Sequence, residues 1–157
     1  MVKRVLILGS TGSIGEQALE VIASSSELIV CGLSADHSWE RLVEQARSTS
    51  AGAVALADPE AAARAAAELD GARVLAGEQG VIGLIEAAKP DLVLNAIVGT
   101  AGLGPTIATL SAGIDLALAN KESLVVGGNL VTTLAEATEA EIIPVDSEHS
   151  ALYQLLA

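Results

Sequence analysis

Two carboxylates one residue apart near the end of the chain, Asp146 and Glu148, form a pair that can chelate a divalent cation. Carboxylate oxygens are hard ligands that suit Mg²⁺ and Mn²⁺, and Ser147 between them can hydrogen-bond a ligand. The same residues also fit a helix start, with Asp146 or Ser147 as the cap and Glu148 in the first turn. His149 is more typical of a helix face or a core than of a hard-cation site.

A second polar group, Asn120, Lys121 and Glu122, directly follows an apolar segment. Lys121 can neutralise a phosphate or an oxyanion of a substrate, while Asn120 and Glu122 can hydrogen-bond the ribose of a cofactor. Ligands of open α/β sheets bind outside the carboxyl ends of the strands, which is where this group is expected. A charged loop that caps the next helix would carry the same residue types, so both interpretations stay open.

A third feature is the segment GSTGSIG that begins at Gly9, follows an apolar strand and opens a helical pattern. Gly9 permits a tight turn, Gly12 lets the backbone approach a pyrophosphate, and Gly15 allows close packing of the helix. The helix N-terminus supplies N–H donors, and Thr11 and Ser13 add hydroxyl groups. The alternative is a strand-to-helix turn that holds no ligand.

Residues at the end of the second predicted strand are placed to contact the 2′ group of a dinucleotide, which is either a hydroxyl or a phosphate. Asp36 is placed to hydrogen-bond a ribose hydroxyl, which disfavours a 2′-phosphate. His37, Ser38 and Arg41 follow and can instead bind a phosphate through charge-assisted hydrogen bonds. Asp36 also fits a solvated position ahead of the next helix, so three interpretations remain.

The elements that must position these groups alternate between short apolar segments and longer amphipathic ones. This alternation predicts an α/β fold with a doubly wound, mostly parallel, Rossmann-like sheet. Strands are predicted at residues 4–8, 28–33, 53–57, 73–75, 92–96, 115–119 and 141–145. Helices are predicted at residues 15–24, 39–47, 59–69, 81–88, 105–112 and 147–157.

The composition suits one domain and excludes several partners. A chain of 157 residues that is 51% hydrophobic and has no Phe can bury one core of small and branched side chains. Its net charge of -12 opposes nucleic acid and anionic membranes, so any phosphate must be held locally by backbone amides and a few cations. The single cysteine, Cys31, predicts a buried thiol in a reducing compartment. With no signal peptide or membrane span, a cytoplasmic protein is expected.

Four segments make the chain similar to the 1-deoxy-D-xylulose 5-phosphate reductoisomerase family: residues 9–15, 96–103, 119–125 and 144–150. The resemblance covers the whole chain, and the last two segments are highly specific to that family. It implies an NADPH-dependent enzyme of non-mevalonate isoprenoid biosynthesis. Such an enzyme isomerises 1-deoxy-D-xylulose 5-phosphate with the help of a metal and reduces the product to 2-C-methyl-D-erythritol 4-phosphate.

The resemblance also implies roles for individual residues. By motif match, NADPH would contact Thr11, Gly12, Ser13, Ile14, Asn120 and Glu122. Gly9, His37 and Ser38 join this predicted cofactor site on the reasoning given above. Lys121, Ser147 and Glu148 would contact the substrate, and Asp146 and Glu148 would hold Mg²⁺ or Mn²⁺. Lys121 and Glu148 would be the catalytic residues.

The chain departs from the family in two ways. Family members often carry Gly, Lys and Asn where this chain has Asp36, His37 and Ser38, which leaves the preference for NADPH over NADH open. The resemblance also implies that the catalytic and C-terminal domains of the family are not part of this chain, as is expected of a fragment. Residues 1–143 are therefore expected to form the NADPH-binding domain, and residues 144–157 the truncated start of the catalytic domain. The full-length enzyme is expected to be a homodimer that takes a sugar phosphate, and this chain alone is expected to be inactive.

Two other functions stay under consideration. The chain can be a stand-alone NADP(H)-binding module or an inactive remnant that binds the nucleotide without chemistry. It can also be another Rossmann dehydrogenase, such as an aspartate-semialdehyde or homoserine type, since these share glycine loops of similar form. The segments around Lys121 and Asp146 argue against this last interpretation.

Overall fold

A seven-stranded, all-parallel sheet organises the computed structural model, which describes residues 1–145. The strands are β1 (Lys3–Leu8), β2 (Leu28–Ala35), β3 (Ala53–Leu56), β4 (Arg73–Ala76), β5 (Leu92–Asn95), β6 (Asp115–Leu118) and β7 (Ile142–Pro144). Their order in the sheet is β4-β3-β2-β1-β5-β6-β7, and each neighbouring pair is parallel. The predicted strands and the doubly wound sheet are confirmed, while the helix predicted at residues 147–157 lies outside the described residues.

Helices cover both faces of this sheet. They are α1 (Ser13–Ala23), α2 (Trp39–Thr49), α3 (Pro59–Glu68), α4 (Gly77–Ala88), α5 (Leu103–Ser111) and α6 (Lys121–Thr138). A short 3₁₀ turn, Thr100–Gly102, leads into α5. The first five helices match predicted ones, and their ends differ from the prediction by a few residues.

The sixth helix, α6, is not among the helices whose bounds are predicted from the sequence, although the capping interpretation of Asn120, Lys121 and Glu122 assumes a helix after them. It contains Gly127 and Gly128, and Gly128 has φ 43° and ψ −122°, which interrupts the regular helical backbone. Packing holds the segment in place, because a Cβ added at Gly127 would lie 2.9 Å from the Leu103 Cδ1 atom. The two glycines lower the helix propensity here, and Gly127 in return allows α6 to approach α5 closely.

Alternating side chains of β1 reach two separate cores. Val5 and Ile7 pack on the face covered by α1, α2 and α3, and Leu6 and Leu8 pack on the face covered by α4, α5 and α6. All four side chains are fully buried. A strand buried on both faces can offer polar groups only at its ends, so chemistry in this fold belongs at the edge of the sheet.

The chain changes direction between β1 and β5. It runs outward from β1 through β2, β3 and β4, and then returns to β5 on the other side of β1. Leu8 at the end of β1 pairs with Asn95 at the end of β5. The loops that follow two such strands diverge and leave a crevice in which ligands bind. Here the crevice lies between the glycine loop, residues 9–15, and the loop formed by residues 96–102.

Two expectations from the composition can be compared with the described residues. Cys31 is buried, as predicted, with 6% of its surface exposed. Within residues 1–145, no helix combines the length and the apolar character needed to cross a membrane.

The buried thiol gives a testable pH dependence. Burial raises the pKa of Cys31 from 9.0 to about 11, against the opposing charge of Arg4. Between these two pH values the unfolded chain loses this proton and the folded chain keeps it, so the free energy of unfolding should fall as the pH rises. Urea denaturation from pH 8 to pH 11 should show a steeper fall for the wild type than for Cys31→Ala. Parallel curves of unfolding free energy against pH for the two proteins would contradict the raised pKa of Cys31.

Candidate functional site

The protein's own packing requires two of the three glycines in the glycine loop. Gly9 has φ 80°, and a Cβ added there would lie 2.9 Å from the Ala96 carbonyl oxygen. A Cβ at Gly15 would overlap the Gly9 carbonyl oxygen and the Ser10 Cα atom. Gly9 therefore allows contact between the two loops of the crevice, and Gly15 allows α1 to pack on the turn.

Gly12 differs from the other two glycines. It is the N-cap of α1 with φ −81° and ψ 173°, a conformation open to any residue. A Cβ at Gly12 would make only an ordinary contact, 3.5 Å from the Gly9 carbonyl oxygen. No side chain of residues 1–145 caps the helix, so the N–H groups of its first turn, around Ser13 and Ile14, receive no capping hydrogen bond. This bare helix N-terminus fits a phosphate group.

A buried polar network fixes the glycine loop to β2 and α2. The Ser10 hydroxyl donates to Gln45 Oε1 at 2.8 Å, and Gln45 Nε2 donates to the Ser10 carbonyl at 2.9 Å. The amide of Ser10 donates to the Ser34 carbonyl at 2.8 Å. The sequence motifs do not point to this network, although a glutamine on the apolar face of α2 is a signal for a buried polar contact.

The predicted 2′ group site lies at the end of β2, beside the glycine loop. Asp36 and His37 are both exposed, and Asp36 Oδ2 lies 3.4 Å from His37 Nδ1. Ser38 is the N-cap of α2, and its side chain makes no capping hydrogen bond. These three side chains remain accessible to a ligand, so the geometry is compatible with either a ribose or a phosphate.

Arg41 is already paired with two carboxylates. Its Nε donates to Glu16 Oε1 and its Nη1 donates to Glu44 Oε2, both at 3.0 Å. The hydrogen bond to Glu16, followed by the one to Glu44, raises the pKa of Arg41 above its usual value. Arg41 thus links α2 to α1, and a phosphate would compete with these two carboxylates for it.

Asn120 is the N-cap of α6, as the capping interpretation proposed. Its Oδ1 accepts the Ser123 amide at 3.1 Å, and its Nδ2 donates to the carbonyls of Ile97 and Gly99 at 2.6 and 2.7 Å. Both amide hydrogens are therefore used within the protein. A cofactor could reach only the remaining acceptor capacity of Oδ1 or the main chain.

Lys121 and Glu122 begin α6 and are exposed at the carboxyl edge of the sheet. They follow Asn120, which contacts the loop of residues 96–102, so the structure brings this group next to the crevice. The hydroxyl of Ser123, in the same turn, is buried and has no hydrogen-bond partner within residues 1–145.

The predicted metal site is not part of the described structure. Asp146, Ser147, Glu148 and His149 lie outside the described residues. Within residues 1–145, no group of three or more His, Cys, Asp and Glu side chains could hold a metal ion.

An open depression of about 520 Å³ lies at the other end of α1. It is lined by Glu20, Val21, Ser24, Ser25, Ser26 and Glu27. Helix α1 has 11 residues, which places this depression about 16 Å from the glycine loop. Its lining has two carboxylates and no basic side chain, so it does not suit an anionic ligand.

Comparison with known proteins extends these observations. The family model for 1-deoxy-D-xylulose 5-phosphate reductoisomerase matches residues 5–128. The reductoisomerase of Rhodococcus jostii (strain RHA1) is 53% identical over 155 residues, which cover 98% of this chain and 37% of the relative. That of Nocardia farcinica (strain IFM 10152) is 54% identical over 155 residues, with the same coverage. The chain thus spans a little more than a third of the length of these curated relatives.

Solved structures of reductoisomerases share the fold closely. A DOX-P reductoisomerase in complex with magnesium has a TM-score of 0.88 and is 35% identical to this chain. The match covers 95% of this chain and 38% of the reductoisomerase chain. The Zymomonas mobilis enzyme in complex with NADPH has a TM-score of 0.87 and is 35% identical. That match covers 98% of this chain and 41% of the Zymomonas mobilis chain. A hyperthermophilic archaeal homoserine dehydrogenase, at 21% identity and a TM-score of 0.60, shares the fold alone.

The different roles of Gly12 and Gly15 give a paired stability prediction. Gly15→Ala should lower the free energy of unfolding by about 2 kcal/mol, because its Cβ meets backbone that cannot move aside. Gly12→Ala should lower the free energy of unfolding by less than about 1 kcal/mol, because Ala is only a somewhat poorer N-cap residue than Gly. Urea denaturation of the two variants measures both values. Equal destabilisation would show that packing, and not ligand access, explains both glycines.

Proposed function

Because this chain belongs to the 1-deoxy-D-xylulose 5-phosphate reductoisomerase family, we propose that it binds NADPH in the crevice between the glycine loop and residues 96–102. The observation that carries this proposal is the bare N-cap at Gly12, which the protein's own packing does not require. A related structure, 35% identical, was solved with NADPH. In this sheet such a dinucleotide would lie across the switch between β1 and β5.

The glycine loop would hold the pyrophosphate of NADPH. Its oxygens would accept N–H groups from the first turn of α1, around Ser13 and Ile14, and the Thr11 and Ser13 hydroxyls can add further donors. The absence of a side chain at Gly12 lets the phosphates approach this turn. Gly9 contributes by keeping the two loops of the crevice together.

The adenosine half of NADPH would extend towards the end of β2. His37 and Ser38 are accessible there and can donate to a 2′-phosphate, although Asp36 lies beside them. The nicotinamide half would extend to the other side of the switch, towards residues 96–102. There Glu122 can accept from a ribose hydroxyl, and Asn120 holds the loop.

The longer protein would carry out the family's reaction, metal-dependent isomerisation of 1-deoxy-D-xylulose 5-phosphate and its reduction by NADPH to 2-C-methyl-D-erythritol 4-phosphate. When bound, NADPH supplies the hydride. Lys121 would offer its ammonium group to the substrate's negative charge, and Ser147 would contact the substrate. Asp146 and Glu148 would hold Mg²⁺ or Mn²⁺, which stabilises negative charge on substrate oxygens. Lys121 and Glu148 remain the proposed catalytic residues.

This proposal treats residues 1–143 as the NADPH-binding domain and residues 144–157 as the start of the catalytic domain. Two observations support this division: the length of the chain relative to its relatives, and its exposed apolar side chains. The chain spans 37% of its curated relatives. Four large apolar side chains in the loop of residues 96–102 and in α6 are more than half exposed: Val98, Val125, Val126 and Leu130. Such a concentration on one loop and one helix is typical of a surface that further protein covers.

The longer protein is further proposed to be a cytoplasmic homodimer. The buried thiol of Cys31 suits a reducing compartment. A second subunit, together with the catalytic domain, would offer apolar surface to cover the exposed side chains of α6.

Nucleotide titration tests the binding proposal. The chain should bind NADPH without added metal and more tightly than NADH. Gly12→Ala should weaken NADPH binding at least tenfold, because its Cβ obstructs the phosphates while the fold is preserved. Gly52→Ala is the matched control, since its Cβ would meet nothing within 4 Å and it precedes β3 at the opposite edge.

Fluorescence of the reduced nicotinamide follows each titration. Tight NADPH binding by Gly12→Ala would overturn the placement of the pyrophosphate. Equal affinity for NADPH and NADH would contradict recognition of the 2′-phosphate at the end of β2.

The proposed division of the protein predicts a difference between this chain and its longer form. The 157-residue chain should produce no 2-C-methyl-D-erythritol 4-phosphate, whereas a form extended to the length of its relatives should produce it and sediment as two chains. Product formation by the 157-residue chain would disprove the division. A one-chain mass for the extended form would disprove the homodimer.

A further inference from the structure

Asn95, at the end of β5, is fully buried, and both polar atoms of its side-chain amide make hydrogen bonds that hold the loop after it. Its Oδ1 accepts the Ile97 amide at 3.2 Å, and its Nδ2 donates to the Gly102 carbonyl at 2.9 Å. The second hydrogen of Nδ2 goes to the Thr106 hydroxyl in α5 at 3.0 Å. One side chain therefore fixes the beginning of the loop, its end, and the helix behind it.

The same loop is held from its other side by Asn120. The Asn120 amide donates to the carbonyls of Ile97 and Gly99, and a Cβ added at Gly102 would overlap the Asn120 Nδ2 atom. Ala119 also donates its amide to the Asn95 carbonyl at 3.0 Å. Any movement of this loop must therefore be shared by the first turn of α6, where Lys121 and Glu122 lie.

We propose that Asn95 is a positioning residue for the nicotinamide half of the dinucleotide. It acts through residues 96–102 and Asn120, and it does not touch the ligand itself. The inference rests on the NADPH binding proposed above. Each polar atom of the Asn95 amide already has a partner in the loop or in α5, and the side chain is fully buried, so a ligand does not reach it.

The two halves of the dinucleotide should depend on Asn95 differently. The adenosine and the pyrophosphate lie on the β1 and β2 side, where Ser34 and Gln45 anchor the glycine loop independently. The nicotinamide half lies on the β5 and β6 side, against the loop that Asn95 folds. Loss of the Asn95 amide should therefore weaken one half of the site and leave the other intact.

Calorimetric titration of the 157-residue chain with two ligands tests this difference. The ligands are NADPH and 2′-phospho-ADP-ribose, which lacks the nicotinamide. The wild type should bind NADPH more tightly. Asn95→Ala should weaken NADPH binding at least fivefold and change the affinity for 2′-phospho-ADP-ribose by less than twofold. A merely structural role would move both affinities together or neither.

Thr109→Val is the matched control for loss of a buried polar group. Thr109 is also fully buried, and its hydroxyl donates only to the Pro105 carbonyl within α5, at 2.8 Å. Both affinities should stay at the wild-type value in this variant. If Asn95→Ala does not fold, Thr106→Val removes one acceptor of the Asn95 amide and should give a smaller loss, again for NADPH alone.

The outcomes separate this inference from the proposed function. Parallel loss for both ligands in the Asn95 or Thr106 variant, or no loss for either, would overturn the positioning role and leave NADPH binding in place. Equal affinity of the wild type for the two ligands would also overturn it. A wild type that binds neither ligand would overturn the proposed function, and the inference with it.

Discussion

The contact between two stretches of backbone, at Gly9 and Ala96, is the constraint on which the site depends. The Ala96 amide donates to the Leu8 carbonyl at 2.9 Å, and only a glycine at position 9 leaves room for the Ala96 carbonyl. Because β1 and β5 are neighbouring parallel strands, this contact occurs where the sheet changes direction. It places the glycine loop against residues 96–102 and so determines the width of the crevice. The buried polar networks of Gln45 and Asn95 then hold the two loops by hydrogen bonds.

The electrostatics of the chain fit a site made of backbone. A protein with a net charge of -12 repels anions at long range, so an anionic ligand must be attracted by groups in direct contact with it. The first turn of α1 supplies N–H donors without adding a charged side chain. Arg41, a cation close to this helix, is paired with Glu16 and Glu44. Recognition of phosphate in this fold therefore relies more on the position of α1 than on basic residues.

The sequence predicted the regular elements of the fold better than the contacts of the site. Apolar segments and glycine spacing indicated every strand of the sheet and the loop after β1, because these patterns follow from local geometry. The extent of helix α6 was not predicted because Gly127 and Gly128 lower its propensity, while the segment packs against Leu103 in the folded chain. Asn95 was missed because it lies within an apolar strand, and its partners at Gly102 and Thr106 become visible only when the loop is folded. Asn120 was found, but its amide proved to hold the loop as well as cap the helix.

The central claim is that both loops of the crevice meet one dinucleotide at the carboxyl edge of the sheet. Amide chemical-shift mapping of the isotope-labelled chain during addition of NADPH tests it most directly. The account predicts that the shifted amides concentrate at residues 11–15, 97–102 and 121–123, on both sides of the switch between β1 and β5. Shifts confined to the depression between Glu20 and Glu27, or to one loop alone, would contradict it.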